Sequence, residues 1–472
     1  MVELGIDASK KAMISVCIVS LFGSVFKDIL KVGENPFQSL VVLSFFTFCI
    51  ISLFTYSKHK LFYILAIPVF TQFIHIFQKY DFTTGANSVW RLFPFLILDL
   101  YLVIFFLKKH SELSQQYKLF ICSWIVFNAF FLIISANLGR LIGGAIVLYL
   151  ITLPLLFSYL SLANRAENFR EELEKYLCLL FIILGLGTFG LVFAGAGYKG
   201  SDNLLATRNI ADTNVTMAYF ILLWPFSLLY LSRNSISQIF RFGVLAIFLG
   251  VIILSFSRGA VLIVLPYIFL TILFVPNFLS LKWILALLAL VVSYTSKIAG
   301  FLEQQDLIYF WKLRFGDMVS VNSLLSKLES ASGRGEIHRI AYTLFLKSPL
   351  IGHGIGSFEI LGPGYREAHS LWYTLLAEEG IAGAVYQYWI FIVLGLVLLK
   401  TAVREKKYAV FLISLLFYLL FNHTVGSVFV ILPGKSITIN CIAPILLICL
   451  YFYSKSRESK VGIHENLIQS HA

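Results

Sequence analysis

Fourteen apolar runs, each close to bilayer-crossing length, constrain this chain more than any other feature: 12–30, 37–56, 61–78, 90–107, 118–135, 141–162, 176–196, 213–232, 239–256, 259–276, 281–299, 381–400, 408–424 and 437–453. A helix needs about 20 apolar residues to cross the hydrocarbon, because every backbone N–H and C=O must be satisfied inside it. Apolar residues make up 59% of the 472 and charged residues 13%, against about 45–50% and about 25% in a soluble domain. The mean hydropathy is +0.85. A cytosolic enzyme, a disordered chain and a disulfide scaffold are excluded. The expected fold is an all-α polytopic membrane protein with about 12–14 transmembrane helices, and 45 Phe and 23 Tyr suit lipid-facing and interfacial helix surfaces.

The net charge is +12, which in a soluble protein would raise the question of nucleic acid. Here the basic residues fall in the short connections of alternate spans, among them Lys58 and Lys60, Lys108 and Lys109, Arg165 and Arg170, Arg233 and Arg241, and Lys400, Arg404, Lys406 and Lys407. The positive-inside rule then sets both termini in the cytoplasm, with basic loops facing anionic lipid and no nucleic-acid partner. The first run reads as an uncleaved signal anchor. Six scattered cysteines lie in apolar runs without CxxC or Cys/His spacing, so neither a disulfide frame nor a metal site is expected.

The chain divides by this reading into N-terminal spans (1–196), an external loop (197–212), spans containing a Ser-Arg-Gly turn (213–299), a large external loop (300–380), C-terminal spans (381–455) and a cytoplasmic tail (456–472). In the large loop, Ile337, Ile340, Ala341, Leu344 and Phe345 recur at helical spacing, while Glu336, Arg339, Thr343 and Lys347 lie off that stripe. An amphipathic helix on the outer membrane interface is expected, stopped by Pro349. Gly352, Gly354 and Gly356 lack the strand and helix context of a phosphate loop and suggest a tight turn with close backbone approach.

Three arginines fall on the outer side: Arg208, Arg258 in Ser-Phe-Ser-Arg-Gly-Ala, and Arg334 in Ser-Gly-Arg-Gly-Glu. A guanidinium at the bilayer edge either snorkels or binds an anion, and Arg suits bidentate phosphate contact. His369 stands before a short helix that Gly380 would end. There the positive helix end favours a neutral imidazole, as a general base requires, and a capping role is the plain alternative. His338, His353 and His423 lie outside or near it without zinc spacing. Asp99, inside the fourth run, is a functional candidate or a packing contact between helices.

Arg-Asn-Ile-Ala-Asp-Thr-Asn-Val-Thr-Met-Ala (208–218), Ser-Phe-Ser-Arg-Gly-Ala (255–260), Ser-Gly-Arg-Gly-Glu-Ile-His-Arg (332–339), Ser-Pro-Leu-Ile-Gly-His-Gly-Ile-Gly-Ser-Phe (348–358) and His-Ser-Leu-Trp-Tyr-Thr-Leu-Leu-Ala-Glu-Glu-Gly-Ile-Ala-Gly (369–383) resemble the O-antigen ligase/polymerase superfamily. The resemblance covers about 200–400. It implies a multi-pass glycosyltransferase of the bacterial inner membrane with its site facing the periplasm and no cofactor. The donor would be a glycan on undecaprenyl pyrophosphate. The acceptor would be a saccharide hydroxyl, on a lipid-linked repeat unit in a polymerase or on lipid A-core in a ligase. Membrane lipid and, for a polymerase, a chain-length regulator would be partners. It implies that Arg208, Arg258 and Arg334 hold the donor diphosphate and that His369 activates the acceptor, with His353 and Arg339 secondary. The family commonly has Asn where Ser370 follows the histidine. The alternative class is a transporter of inorganic carbon or lipid-linked sugar, which would show inverted repeats or broken mid-membrane helices.

Overall fold

The computed structural model describes residues 47, 50–55, 59–77, 89–193, 213–233, 235–255, 257, 259–275, 278, 334–364, 367–425 and 442–469. Among them there is no strand. The helices run α1 (Lys60–Phe77), α2 (Val89–Lys109), α3 (Gln115–Ile133), α4 (Leu138–Ala145), α5 (Leu153–Ala163), α6 (Phe169–Phe193), α7 (Thr213–Leu231), α8 (Gln238–Leu254), α9 (Leu265–Leu273), α10 (Arg334–Lys347), α11 (Phe358–Leu361), α12 (Leu371–Arg404), α13 (Ala409–Thr424) and α14 (Ile442–Gln469). Two π-helical turns, Ile146–Thr152 and Ala260–Val264, lead into α5 and α9.

Among the described residues, four helical stretches are long and apolar enough to cross a membrane: Gln115–Ile133, Ile146–Ala163, Leu371–Arg404 and Lys406–Thr424. Shorter apolar helices include Lys60–Val69, Met217–Leu231, Gln238–Ile253 and Ala260–Leu273. The expected runs 12–30 and 281–299 lie outside the described residues, and 37–56 is described only in part. Helix α14 continues to Gln469, past position 453 where the last span was expected to end.

The chain forms two compact units. The first comprises Met1–Tyr176, Gly354–Gly356 and Ile431–Ala472. Its helices meet through aromatic side chains: Phe157 packs on Phe120 and Phe452, and Tyr117 on Phe452. Several polar groups there find partners. Trp124 Nε1 donates to Tyr149 O at 2.8 Å, and Arg170 donates from Nε to Tyr453 O at 2.9 Å while its guanidinium lies over the Tyr453 ring. Asp99 Oδ2 lies 3.0 Å from the hydroxyl of Thr152, the last residue of the first π turn. Residues 354–356 are stitched to the end of α3: Ile355 N donates to Phe131 O, Ser135 Oγ to Ile355 O and Asn137 Nδ2 to Gly356 O. Gly354 has φ 86°, and a Cβ there would stand 2.3 Å from Ser135 Cα, so the sequence needs glycine here for two reasons.

The second unit comprises Leu177–His353 and Ser357–Val430. Its core gathers Phe181, Phe220, Trp224 and Phe248 in tilted and edge-on contacts. Trp224 Nε1 donates to Thr271 Oγ1 at 2.9 Å, and the Tyr267 hydroxyl donates to Ile221 O at 2.8 Å. These bonds satisfy the polar ends of large buried rings. Arg241, which the charge pattern put in a cytoplasmic loop, is buried, with its guanidinium donating to Arg233 O at 2.8 Å and Phe278 O at 3.2 Å. Cys122 and Cys449 are free thiols.

Candidate active site

The second unit carries α10, α11 and the first half of α12. In α10 the residues Ile337, Ala341 and Leu344 are buried against Phe358, Ala368 and Ala377, with Ile340 and Tyr373 at the edge. The stripe expected to rest on the membrane interface is therefore covered by protein. Apolar spacing reports burial but not whether lipid or protein provides it. Each large side chain in this cluster contributes roughly 1.5–3 kcal/mol.

Backbone crossing locks the turn after α10 onto α12. Helix α12 breaks at Gly380 (φ 63°, ψ −161°). The break would strand the amides of the next turn, but Ile381 N donates to Pro349 O at 2.9 Å and Ala382 N to Leu350 O at 3.0 Å. A Cβ on Gly380 would stand 2.6 Å from Leu350 C, and one on Gly352 (φ 62°) 2.4 Å from Glu378 C. The expected tight glycine turn is present at Gly352, Gly354 and Gly356, all with positive φ. Gly380 does interrupt the helix, although the chain resumes it at once as far as Arg404. Glu378 Oε1 accepts from Phe358 N at 3.3 Å, and Gln387 Nε2 donates to Glu379 Oε2 at 3.4 Å, so the two buried acids fasten α11 and the kink.

At the head of α12, Ser370 is extended and its side chain makes no cap. His369 has φ 52°, the one non-glycine positive φ among the described residues. Such backbone costs of order 1–3 kcal/mol and persists only where its surroundings hold it. Ala368 N donates to Thr374 Oγ1 at 3.1 Å, and Thr374 N to Ser370 O at 3.0 Å. These bonds hold the strained turn. His369 Nδ1 lies 3.5 Å from Glu367 Oε1, with the imidazole 33% and the carboxylate 8% exposed. The ring reaches solvent and the acid does not.

Arg334 opens α10 and donates from Nη1 to Thr424 O at 2.7 Å, satisfying an end carbonyl of α13. Burial lowers the guanidinium pKa, and the charge of Glu367 opposes that. One helical turn on, His338 stacks on Tyr373 with ring centroids 4.4 Å apart and planes 16° apart. Burial pushes its imidazole below the ordinary value, the charges of Arg334 and His369 push the same way, and the Ala368 backbone pulls against them. The balance favours the neutral imidazole. Arg334, His338, Glu367 and His369 thus act on one another as one electrostatic group. Three of its buried atoms, Arg334 Nε, His338 Nε2 and Glu367 Oε2, have no hydrogen-bond partner among the described residues.

The other candidates are placed differently. Arg339 is exposed and holds Glu336 through two bonds of 2.9 and 2.6 Å. His353 Nε2 lies 3.0 Å from Leu344 O, closing the last turn of α10. His423 bonds to the Tyr388 hydroxyl through Nε2. Arg208 and Arg258 lie outside the described residues. Among the described residues, no three His, Cys, Asp or Glu side chains group to hold a metal ion.

Residues 243–387 match the model of the O-antigen ligase family. The match supports the O-antigen ligase/polymerase superfamily. The matched segment holds Arg334, His369, the Gly352–Gly380 crossing and two neighbours of these residues that sequence reasoning did not assign to the chemistry, His338 and Glu367. Position 338 is four residues after Arg334, on the same helix face, and that spacing was a readable signal. Glu367, two positions before His369, carried none beyond adjacency. No curated protein and no solved structure matches the chain significantly.

Proposed function

We propose that this multi-pass membrane protein is a glycosyltransferase of the O-antigen ligase or polymerase type, acting in surface polysaccharide assembly. The donor in this reading is a glycan on undecaprenyl pyrophosphate, and the acceptor is a saccharide hydroxyl of lipid A-core or of a lipid-linked repeat unit. The site faces the periplasm from the inner membrane. The observation that carries the reading is the coupling of Arg334, Glu367 and His369 at a strained helix start, inside the segment that matches the O-antigen ligase family.

The acceptor hydroxyl gives its proton to His369 as its oxygen attacks the anomeric carbon. The bond from that carbon to the pyrophosphate oxygen breaks, and the electron pair leaves with the lipid pyrophosphate. Arg208, Arg258 and Arg334 stabilise the charge that grows on the departing group. Because pyrophosphate already leaves well, no metal or nucleotide is required. Direct displacement inverts the anomeric centre. His353 and Arg339, given local bonds by the fold, support α10 rather than contact the sugar.

The test is complementation of a strain lacking the gene, at verified equal membrane abundance, with surface polysaccharide resolved on a gel. Loss of all glycan from lipid A-core in the His369→Ala strain identifies a ligase. Single-repeat caps without a ladder identify a polymerase. An unchanged ladder with both His369→Ala and Arg258→Ala overturns the assignment.

A further inference from the structure

We propose that Glu367 is a positioning residue of this site: its carboxylate holds the Nδ1 side of His369, so that the Nε2 side is presented to the acceptor hydroxyl. The inference rests on the glycosyl-transfer reading and adds a residue to it.

Three observations converge on it. The carboxylate is 8% exposed, and its Oε1 is 3.5 Å from His369 Nδ1. That separation is long for a finished hydrogen bond, yet such bonds are often loose before substrate arrives. Next, the backbone between the two residues is fixed. Ala368 N is tied to Thr374 Oγ1, and His369 sits at φ 52°, a conformation that its surroundings must impose. Finally, Glu367 Oε2 is buried without a hydrogen-bond partner among the described residues. The charge of this sealed acid also acts on Arg334, opposing the lowering that burial imposes on the guanidinium.

A carboxylate on one imidazole nitrogen fixes the tautomer and the ring orientation, and it stabilises the imidazolium formed when the other nitrogen takes a proton. In the transfer step the acceptor proton moves to Nε2 and the new glycosidic bond forms from the acceptor oxygen. The pyrophosphate leaves with the electron pair of the broken bond. The proton on His369 then passes to solvent, which the ring reaches. Glu367 exchanges no proton in this cycle. Its alternative role is only to neutralise Arg334, and then its loss would weaken donor binding.

The experiment uses the full-length protein in proteoliposomes, with lipid-linked glycan as donor and the wild type, Glu367→Gln, Glu367→Asp and His369→Ala compared. Glu367→Gln keeps the volume and an accepting oxygen but removes the charge. The expected result is a kcat lower by about 10–100-fold, with donor KM within about two-fold and partial recovery of kcat in Glu367→Asp. A raised donor KM with kcat intact would assign Glu367 to Arg334 and overturn the proposal. Unchanged kinetics in Glu367→Gln, with His369→Ala inactive, would also overturn it while leaving the transfer reading in place. If Glu367→Gln does not fold, Glu367→Asp decides by the same split between kcat and KM. Full transfer by His369→Ala would remove the transfer mechanism itself, and this proposal with it.

Discussion

Asp99 in the first unit and Glu367 in the second are both buried acids with one oxygen lacking a hydrogen-bond partner among the described residues, yet their surroundings differ in kind. Asp99 faces a neutral group, the Thr152 hydroxyl, at a π turn between apolar helices. That hydroxyl also lies 2.9 Å from Val147 O and has a single proton to give. Glu367 faces Arg334 and His369, both of which act on His338, beside a residue in strained backbone. The first arrangement fastens two helices. The second brings an acid, a base and a fixed positive charge to a place where one ring reaches solvent. Polar burial alone does not mark a site; converging titratable groups on over-determined backbone do.

The sharpest way to break this comparison is to remove the ring. His369→Ala is expected to lower transfer by about 10²–10⁴-fold, measured as product per protein in proteoliposomes. Next in size is the backbone lock. Gly380→Ala is expected to cost at least about 1–3 kcal/mol, because it adds a side chain at φ 63° and 2.6 Å from Leu350 C. A lower melting temperature in detergent would show it, and an unchanged one would mean that the crossing is loose.

His338 gives a smaller effect, in pH. Its folded pKa is lowered, so the unfolded chain binds the proton more readily and stability rises with pH between the folded value and about 6.5. Acidification through that window therefore destabilises the wild type, and His338→Gln flattens the dependence; melting across pH 5 to 7.5 reads both. The smallest effect is expected at Asp99. An amide can still donate to the Thr152 hydroxyl, so Asp99→Asn should change stability by less than about 1 kcal/mol and transfer by less than about two-fold. A large loss of transfer there would dissolve the distinction between the two regions.

Much of the fold was legible because long apolar runs have one solution in a membrane, and the described helices follow the expected runs from Lys60–Phe77 to Ala409–Thr424. The α10 stripe and the glycine turn were legible from spacing and from the backbone freedom of glycine. What covers the stripe was not, since lipid and protein ask for the same side chains. The π turns and the continuation of α12 beyond Gly380 depend on carbonyls supplied by tertiary partners, such as Pro349 O and Leu350 O. In the site, Arg334 and His369 stood out as single residues. Their coupling did not, because the group that connects them, Glu367, is brought to Arg334 only by folding.

The most direct test is a single-turnover assay in proteoliposomes, with labelled glycan on undecaprenyl pyrophosphate, purified acceptor and a metal chelator. The wild type is expected to transfer glycan and release the lipid pyrophosphate, and His369→Ala, at equal abundance and melting temperature, to do neither. Transfer by His369→Ala at the wild-type rate, or transport of the lipid-linked glycan without any new glycosidic bond, would contradict the proposed chemistry.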